Sequence, residues 1–192
     1  MEFKLNPVFS DKESNEEEHV KVLVIGSGPA GLSAALYAAR AELSPVVLTG
    51  MELGGQAALT HTIENYPGFP EGVGGSELGE LFQKQAERFG ARVEFETASS
   101  VDLSQKPFKI TTDNKIFLAD TLIISTGASP LHLNVPGERE LTGKGVSYCA
   151  NCDGPFFKNK NVAVIGGGNA ALDAAEVMSK IAKQVYLVHR RD

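Results

Sequence analysis

The stretch "SYCANCDGPFF", Ser147 to Phe157, holds both cysteines of the chain, Cys149 and Cys152, with two residues between them and Asp153 directly after. Thiols at this spacing serve zinc ligation, a structural cross-link, buried packing or reversible redox exchange. Zinc requires about four ligands, and the chain adds only His19, His61, His132 and His189, scattered and without a paired spacing. A structural disulfide closing so short a loop contributes only about 2 kcal/mol by loop entropy, and a cytosolic protein does not normally keep it oxidised. Packing thiols need no such spacing, whereas C-x-x-C followed by Asp153-Gly154 suits a turn that presents a redox pair. Such a pair exchanges disulfides through its thiolate, and a neighbouring carboxyl such as Asp153 can supply or remove the proton.

The elements around these thiols come from one device used twice. "KVLVIGSGPAGLSAALYAA" (Lys21 to Ala39) and "NVAVIGGGNAALDAAEVMS" (Asn161 to Ser179) align without a gap: apolar run, glycine turn, alanine-rich helical segment. Each is followed by another apolar strand, "PVVLT" at Pro45 to Thr49 and "QVYLVH" at Gln184 to His189. Strands too apolar to be solvated on either face, joined through a helix, form parallel βαβ units. The expected fold class is therefore α/β, with two Rossmann-like dinucleotide-binding units, the first carrying a small antiparallel β insertion.

The first turn, Gly26-Ser27-Gly28-Pro29-Ala30-Gly31, fits G-x-G-x-x-G between a strand and a helix. Its first glycine permits the tight turn, its second lets backbone approach a pyrophosphate, and its third lets helix pack on strand, leaving the helix N-terminus as an anion site. The second turn, Gly166-Gly167-Gly168-Asn169-Ala170-Ala171, repeats it with alanine third. About twenty residues past such a turn an NAD-type fold offers an acid to the ribose 2′-hydroxyl. Here the second unit offers His189, Arg190 and Arg191 instead, which suit a 2′-phosphate and favour NADPH. After the first turn the equivalent loop is Thr49-Gly50-Met51-Glu52-Leu53-Gly54-Gly55-Gln56; Glu52 is its acid, equally well explained as a solvated loop residue. Two unlike turns imply two different dinucleotides. A dithiol beside them is an electron conduit, and among common dinucleotides only a flavin both accepts a hydride and hands an electron pair to sulfur.

Between the copies, "SELGELFQKQAERFG" aligns Leu78, Leu81, Phe82, Ala86 and Phe89 on one helical stripe, with Ser76 as expected N-cap and Gly90 as stop. "RVEFE" is an expected strand and "FKITTDNKIFLAD" a hairpin turning at Asp113–Asn114. "TLIISTGAS" (Thr121 to Ser129) is a buried strand opening into a glycine turn, and the segment after it connects to the second unit.

The 192 residues, 42% hydrophobic and 22% charged, suit soluble globular material, and the net charge of −6 gives no basic field for nucleic acid or anionic lipid. No targeting segment or membrane-length apolar run occurs in the sequence, so a cytoplasmic protein is expected. Residues 1–19, polar and containing "ESNEEE", are expected to form a mobile tail.

With these motifs in order, the chain resembles the low-molecular-weight thioredoxin reductases, through "GSGPAGLSAALYAAR", "TGMELGGQ", "ENYPGF", "STGAS", "CANCDG", "GGGNAALDAA" and "HRRD", from about Val20 to Asp192. The resemblance implies that the first unit binds FAD through the Gly26–Gly31 turn, the Thr49–Gln56 loop, Asn65 and the Thr126–Gly127 turn. It implies that the second binds NADPH through Gly166, Gly167, Gly168, Asn169, Ala170, His189, Arg190 and Arg191. Cys152 would face the flavin, Cys149 would attack the disulfide of thioredoxin, and Asp153 would be the general acid and base. The same resemblance implies a homodimer and two orientations of the NADPH domain.

Asn151 and Pro155 depart from the commonest wording of the family motif, and "CDGPFFK" is similar to the flavoprotein component of alkyl hydroperoxide reductase. A peroxiredoxin or glutaredoxin-like protein is therefore the alternative partner. A reductase of ferredoxin or flavodoxin is a third possibility, and it would not need the cysteines. The sequence stops after the second strand of the second unit, and a lone βαβ cannot cover both sheet faces. A FAD domain over 20–131 and an incomplete start of an NADPH domain over 132–192 are expected. Turnover is then expected of a longer chain, and these residues alone could be a nucleotide-binding fragment without it.

Overall fold

A computed structural model describes residues 16–190. They group into two compact units, the first from the chain up to Leu59 together with Gly74–Gly127, the second from Thr60–Val73 together with the chain from Ala128 onward. The 60–73 segment, expected within the first domain, thus groups with the second. It carries no helix, and its pairing is a single antiparallel bridge between its own Ile63 and Val73.

The first unit runs β1 (Glu16–Ile25), α1 (Pro29–Arg40), β2 (Val46–Leu48), α2 (Gly55–Ala58), α3 (Gly75–Arg88), β3 (Arg92–Glu94), β4 (Ser100–Asp102), β5 (Phe108–Thr111) and β6 (Lys115–Ile124). Its sheet has the order β3-β2-β1-β6-β5-β4. The first four strands are parallel and the last two antiparallel. This is Rossmann-like winding with the antiparallel insertion added along one edge. Alternation along the strands sends side chains to two cores. Val22, Val24 and Val47 pack with Leu32, Ala35 and Ala39 of α1 and Ala86 of α3. Leu23, Val46 and Leu48 pack with Ile110 of β5 and with Phe117 and Ala119 of β6.

Three expectations are corrected here. Glu16–His19, assigned to the mobile tail, form the start of β1, paired with Lys115–Leu118 of β6. Their charges meet partners distant in sequence: Glu17 approaches Lys109 at 3.7 Å, Glu18 pairs with Arg92 and Lys115, and His19 lies 3.1 Å from Asp120. Residues 1–15 of that tail lie outside the described residues. The hairpin turns at Asp113–Asn114 as expected, but its second arm and the following apolar strand are one continuous β6, because a single register against β1 runs from Lys115 to Ile124. Helix α3 is capped by Gly74, whose carbonyl accepts the Leu78 N–H at 2.9 Å, and Ser76 falls inside its first turn. Of the expected stripe, Leu78 and Ala86 are buried and Phe82 packs on the core, while Leu81 and Phe89 remain exposed. Gly90 ends the helix at φ +99°, as expected of a glycine stop.

In the second unit α4 (Ala150–Asp153) and a single 3-10 turn (Gly154–Phe157) precede β7 (Asn161–Ile165), α5 (Asn169–Ser179) and β8 (Gln184–Val188). Strands β7 and β8 pair in parallel, Asn161 opposite Gln184 through Ile165 opposite Val188. Ile165, Tyr186, Leu187 and Val188 stay exposed. Gly154 lets α5 approach: a Cβ there would lie 3.2 Å from Ile181 Cδ1 and 3.4 Å from Met178 Sδ. Among the described residues no helix is long and apolar enough to cross a membrane.

Candidate functional site

The first glycine turn joins the carboxyl end of β1 to α1. Gly26 adopts φ +108° and donates its N–H to Leu48 O at 2.9 Å; a Cβ on it would lie 2.3 Å from Ser125 O. Gly31 allows no side chain, because a Cβ would sit 1.9 Å from Gly26 O. Gly28 differs from both. It caps α1 in ordinary extended conformation, φ −68° and ψ 178°, and a Cβ on it would meet nothing within 4 Å. Its missing side chain therefore opens space in front of the helix N-terminus, where unpaired N–H groups favour an anion. Pro29 occupies the start of α1, and the first turn has no acidic residue to repel one.

The loop after β2 closes over this turn. Ser27 is buried, its hydroxyl 3.4 Å from Thr49 O and 3.3 Å from Glu52 O, and its carbonyl accepts the Gly54 N–H at 3.1 Å. Gly50, Gly54 and Gly55 take positive φ. Gly54 backs closely onto Gly79 of α3, a Cβ on either lying 3.3 or 3.1 Å from the other's Cα, while Gly55 sits above Gly28 Cα. Met51 and Glu52 are exposed. After β6, Ser125 donates its hydroxyl to Ile25 O at 2.9 Å and approaches Gly26 O at 3.1 Å, and Thr126–Gly127 follow. The structure thus gathers Gly26–Gly31, Thr49–Gln56 and Ser125–Gly127 at the carboxyl ends of neighbouring parallel strands, where open α/β sheets bind ligands. Asn65 stands exposed on the 60–73 segment, which groups with the other unit.

The second turn repeats the geometry. Gly166 takes φ +141° and donates to Val188 O at 2.9 Å, and its side-chain-free face meets Ala171. Gly168 caps α5, again with nothing within 4 Å of a Cβ, and Asn169 and Ala170 open the helix. His189 lies on Gly167: a Cβ there would be 2.4 Å from His189 Cδ2. The strand end therefore carries His189 against the turn with Arg190 following, exposed; Arg191 lies outside the described residues.

Cys149 and Cys152 form a disulfide, with Cα atoms 5.3 Å apart. Cys149 is half-buried at the cap of α4 and its Sγ accepts the Cys152 N–H at 3.2 Å, while Cys152 is exposed. Ser147, which the motif spacing does not single out, donates its hydroxyl to Asp153 Oδ2 and accepts the Cys149 N–H at 3.1 Å. A second anchor lies one residue along. Glu138, 5% exposed, accepts the Leu133 N–H at 2.9 Å, the Asn134 N–H and the Tyr148 hydroxyl at 2.9 Å. The Leu133 N–H foremost, with the Tyr148 hydroxyl and the Asn134 N–H, holds the Glu138 carboxyl below its ordinary range. Partial burial and then the bond to Glu138 push the Tyr148 phenol up. His132 Nδ1 stands 2.9 Å from the Tyr148 oxygen. Ser125 and Ser147 had a faint signal in sequence, each beside a singled-out motif, whereas Glu138 had none. Among the described residues no group of three or more His, Cys, Asp or Glu is arranged to hold a metal ion.

Two parallel units with glycine turns at their strand ends, and a disulfide in the same chain, define a class. The family described as pyridine nucleotide-disulphide oxidoreductase matches residues 20–192, and the chain belongs to it. Within that family the chain is similar to thioredoxin reductases. The thioredoxin reductase of Vibrio cholerae is 51% identical over 175 residues, 91% of this chain and 55% of that protein. A Pseudomonas fluorescens protein named glucosaminate ammonia-lyase is 48% identical over 177 residues, 92% of this chain and 55% of that protein. The solved thioredoxin reductase of Giardia duodenalis superposes with a TM-score of 0.85 at 45% identity, over 91% of this chain and 57% of that one. The chain spans about half the length of the curated relatives it matches.

Proposed function

We propose that these residues belong to an NADPH-dependent thioredoxin-disulfide reductase, with FAD in the first unit and NADPH in the second. The observation that carries this is the Cys149–Cys152 disulfide, flanked by Asp153, in a chain with two unlike glycine turns. The open space at Gly28 and at Gly168 fits a pyrophosphate on each helix N-terminus. Gly26–Gly31, Thr49–Gln56 and Thr126–Gly127 would hold FAD, with Asn65 as a contact from the 60–73 segment. Gly166–Ala170 with His189, Arg190 and Arg191 would hold NADPH. Protein identity alone does not select the reaction, since relatives of nearly equal identity carry the names of a reductase and a lyase.

Bound NADPH and FAD would together supply the electron pair that the disulfide takes up. The Cys149–Cys152 bond takes up that pair and opens to a dithiol. Cys149, as thiolate, attacks the partner disulfide and forms a mixed disulfide; Cys152 then attacks Cys149 Sγ, which closes the pair and releases the partner's second thiolate. Asp153 takes the proton from the thiol that ionises and returns it to the thiolate that leaves. One NADPH and one proton reduce one disulfide to two thiols. The partner is thioredoxin, with a peroxiredoxin or glutaredoxin-like protein as the alternative on the "CDGPFFK" wording, and the protein works as a cytoplasmic homodimer.

For the 192 residues alone, the exposed faces of β7 and β8 favour a second reading, nucleotide binding without turnover. The test is the visible spectrum after FAD loading and desalting, repeated after anaerobic NADPH, and then NADPH oxidation by the full-length protein with each purified partner. A retained flavin that bleaches, with turnover lost in Cys149→Ser, is expected. A colourless protein, or partner reduction that survives Cys149→Ser, refutes the proposal.

A further inference from the structure

The Asp153 carboxylate does not stand alone beside the thiols. Ser147 has one hydroxyl proton and uses it towards Asp153 Oδ2, while its oxygen accepts the Cys149 N–H at 3.1 Å. The Cys149 carbonyl, 3.3 Å from the same hydroxyl, accepts the Asp153 N–H at 3.0 Å. Ser147 is therefore hydrogen-bonded at both ends of the C-x-x-C-D turn, to the backbone of the first cysteine and to the side chain of the acid. A free Asp rotates about two bonds, and a proton donor works only within hydrogen-bond reach of its target.

We infer that Ser147 is a positioning residue for the dithiol step: its hydroxyl orients the Asp153 carboxyl relative to the Cys149 backbone, so that proton transfer to and from the thiols has a fixed geometry. This rests on the proposed reductase activity. No bond to Ser147 forms or breaks, and its own proton stays on Oγ.

The experiment uses the full-length protein with FAD bound, carrying Ser147→Ala or Ser147→Thr, each in the natural and the Asp153→Asn background. Two rates are read: NADPH-dependent reduction of a protein disulfide, and NADPH-dependent reduction of ferricyanide, which draws electrons from the flavin without the thiols. Loss of a hydrogen bond to a charged group predicts that Ser147→Ala lowers the ratio of the first rate to the second about tenfold, through kcat rather than the KM for the protein disulfide. Ser147→Thr, which keeps the hydroxyl, restores most of the ratio, and Ser147→Ala adds little once Asp153→Asn is present. A Ser147→Ala ratio within twofold of the natural protein overturns the inference, as does a full tenfold loss persisting in Asp153→Asn. Should Ser147→Ala lose its flavin, Ser147→Thr decides: a ratio near the natural one supports the role and a tenfold loss refutes it. A natural protein that reduces no disulfide overturns the proposed function itself, a result distinct from normal turnover that Ser147→Ala leaves untouched.

Discussion

The capping glycine Gly28 and the packing glycine Gly31 of the first turn separate cleanly under single-methyl substitution. In Gly31→Ala the new Cβ would lie 1.9 Å from Gly26 O, over 1 Å inside any normal contact, and the obstacle is backbone that cannot swing aside. Helix α1 must shift off the sheet, and overpacking of this kind costs about 1–3 kcal/mol or more. For a protein of this size that lowers Tm by about 2–4 °C per kcal/mol. In Gly28→Ala the Cβ meets no protein atom within 4 Å, and φ −68°, ψ 178° suits any L-residue. Fewer unfolded conformations then stabilise the apoprotein by about 0.4–1 kcal/mol. The same methyl projects into the space proposed for the FAD pyrophosphate, where overpacking of about 1–3 kcal/mol weakens binding about 5- to 150-fold. Thermal unfolding of the apoprotein and FAD titration by absorbance measure the two effects. Gly31→Ala should lose stability and binding together; Gly28→Ala should keep or gain stability while losing affinity. Equal destabilisation by both substitutions, or undiminished FAD affinity in Gly28→Ala, would refute the reasoning.

Gly167→Ala would place a Cβ 2.4 Å from His189 and displace that ring, so the KM for NADPH should rise while the bound-flavin spectrum is unchanged. Glu138 has a folded pKa below its ordinary value of 4.5, so its contribution to stability is present above that value and lost as pH falls through the lower folded one. Tm measured against pH should therefore drop in that acidic window for the natural protein and fall less steeply for Glu138→Gln. Beginning the chain at Val20 removes the ladder between Glu16–His19 and Lys115–Leu118, and should lower the urea midpoint of the first unit; an unchanged midpoint would restore those residues to the tail.

What was legible in the sequence is what depends on neighbours along the chain. Both βαβ units, the turn at Asp113–Asn114 and the glycine stop at Gly90 follow from spacing, because apolar period, turn chemistry and the steric freedom of glycine act over a few residues. The C-x-x-C pair is local in the same way, since three residues of separation already allow its disulfide. Tertiary structure alone decided the rest. "EEEH" looks like a solvated tail until Lys109, Lys115, Arg92 and Asp120 are brought beside it, and none of those lies within seventy residues in sequence. β6 is one strand because β1 supplies a continuous partner, which no local pattern around Asp120–Thr121 records. Ser76 has the chemistry of a helix cap, but the chain enters α3 two residues earlier at Gly74. Ser147 and Glu138 are ordinary polar residues in sequence; turns bring one to Asp153 and the other to Tyr148. Local chemistry determined which groups the protein carries, and long-range pairing determined which of them meet, because hydrogen bonds and charges act on distance in space.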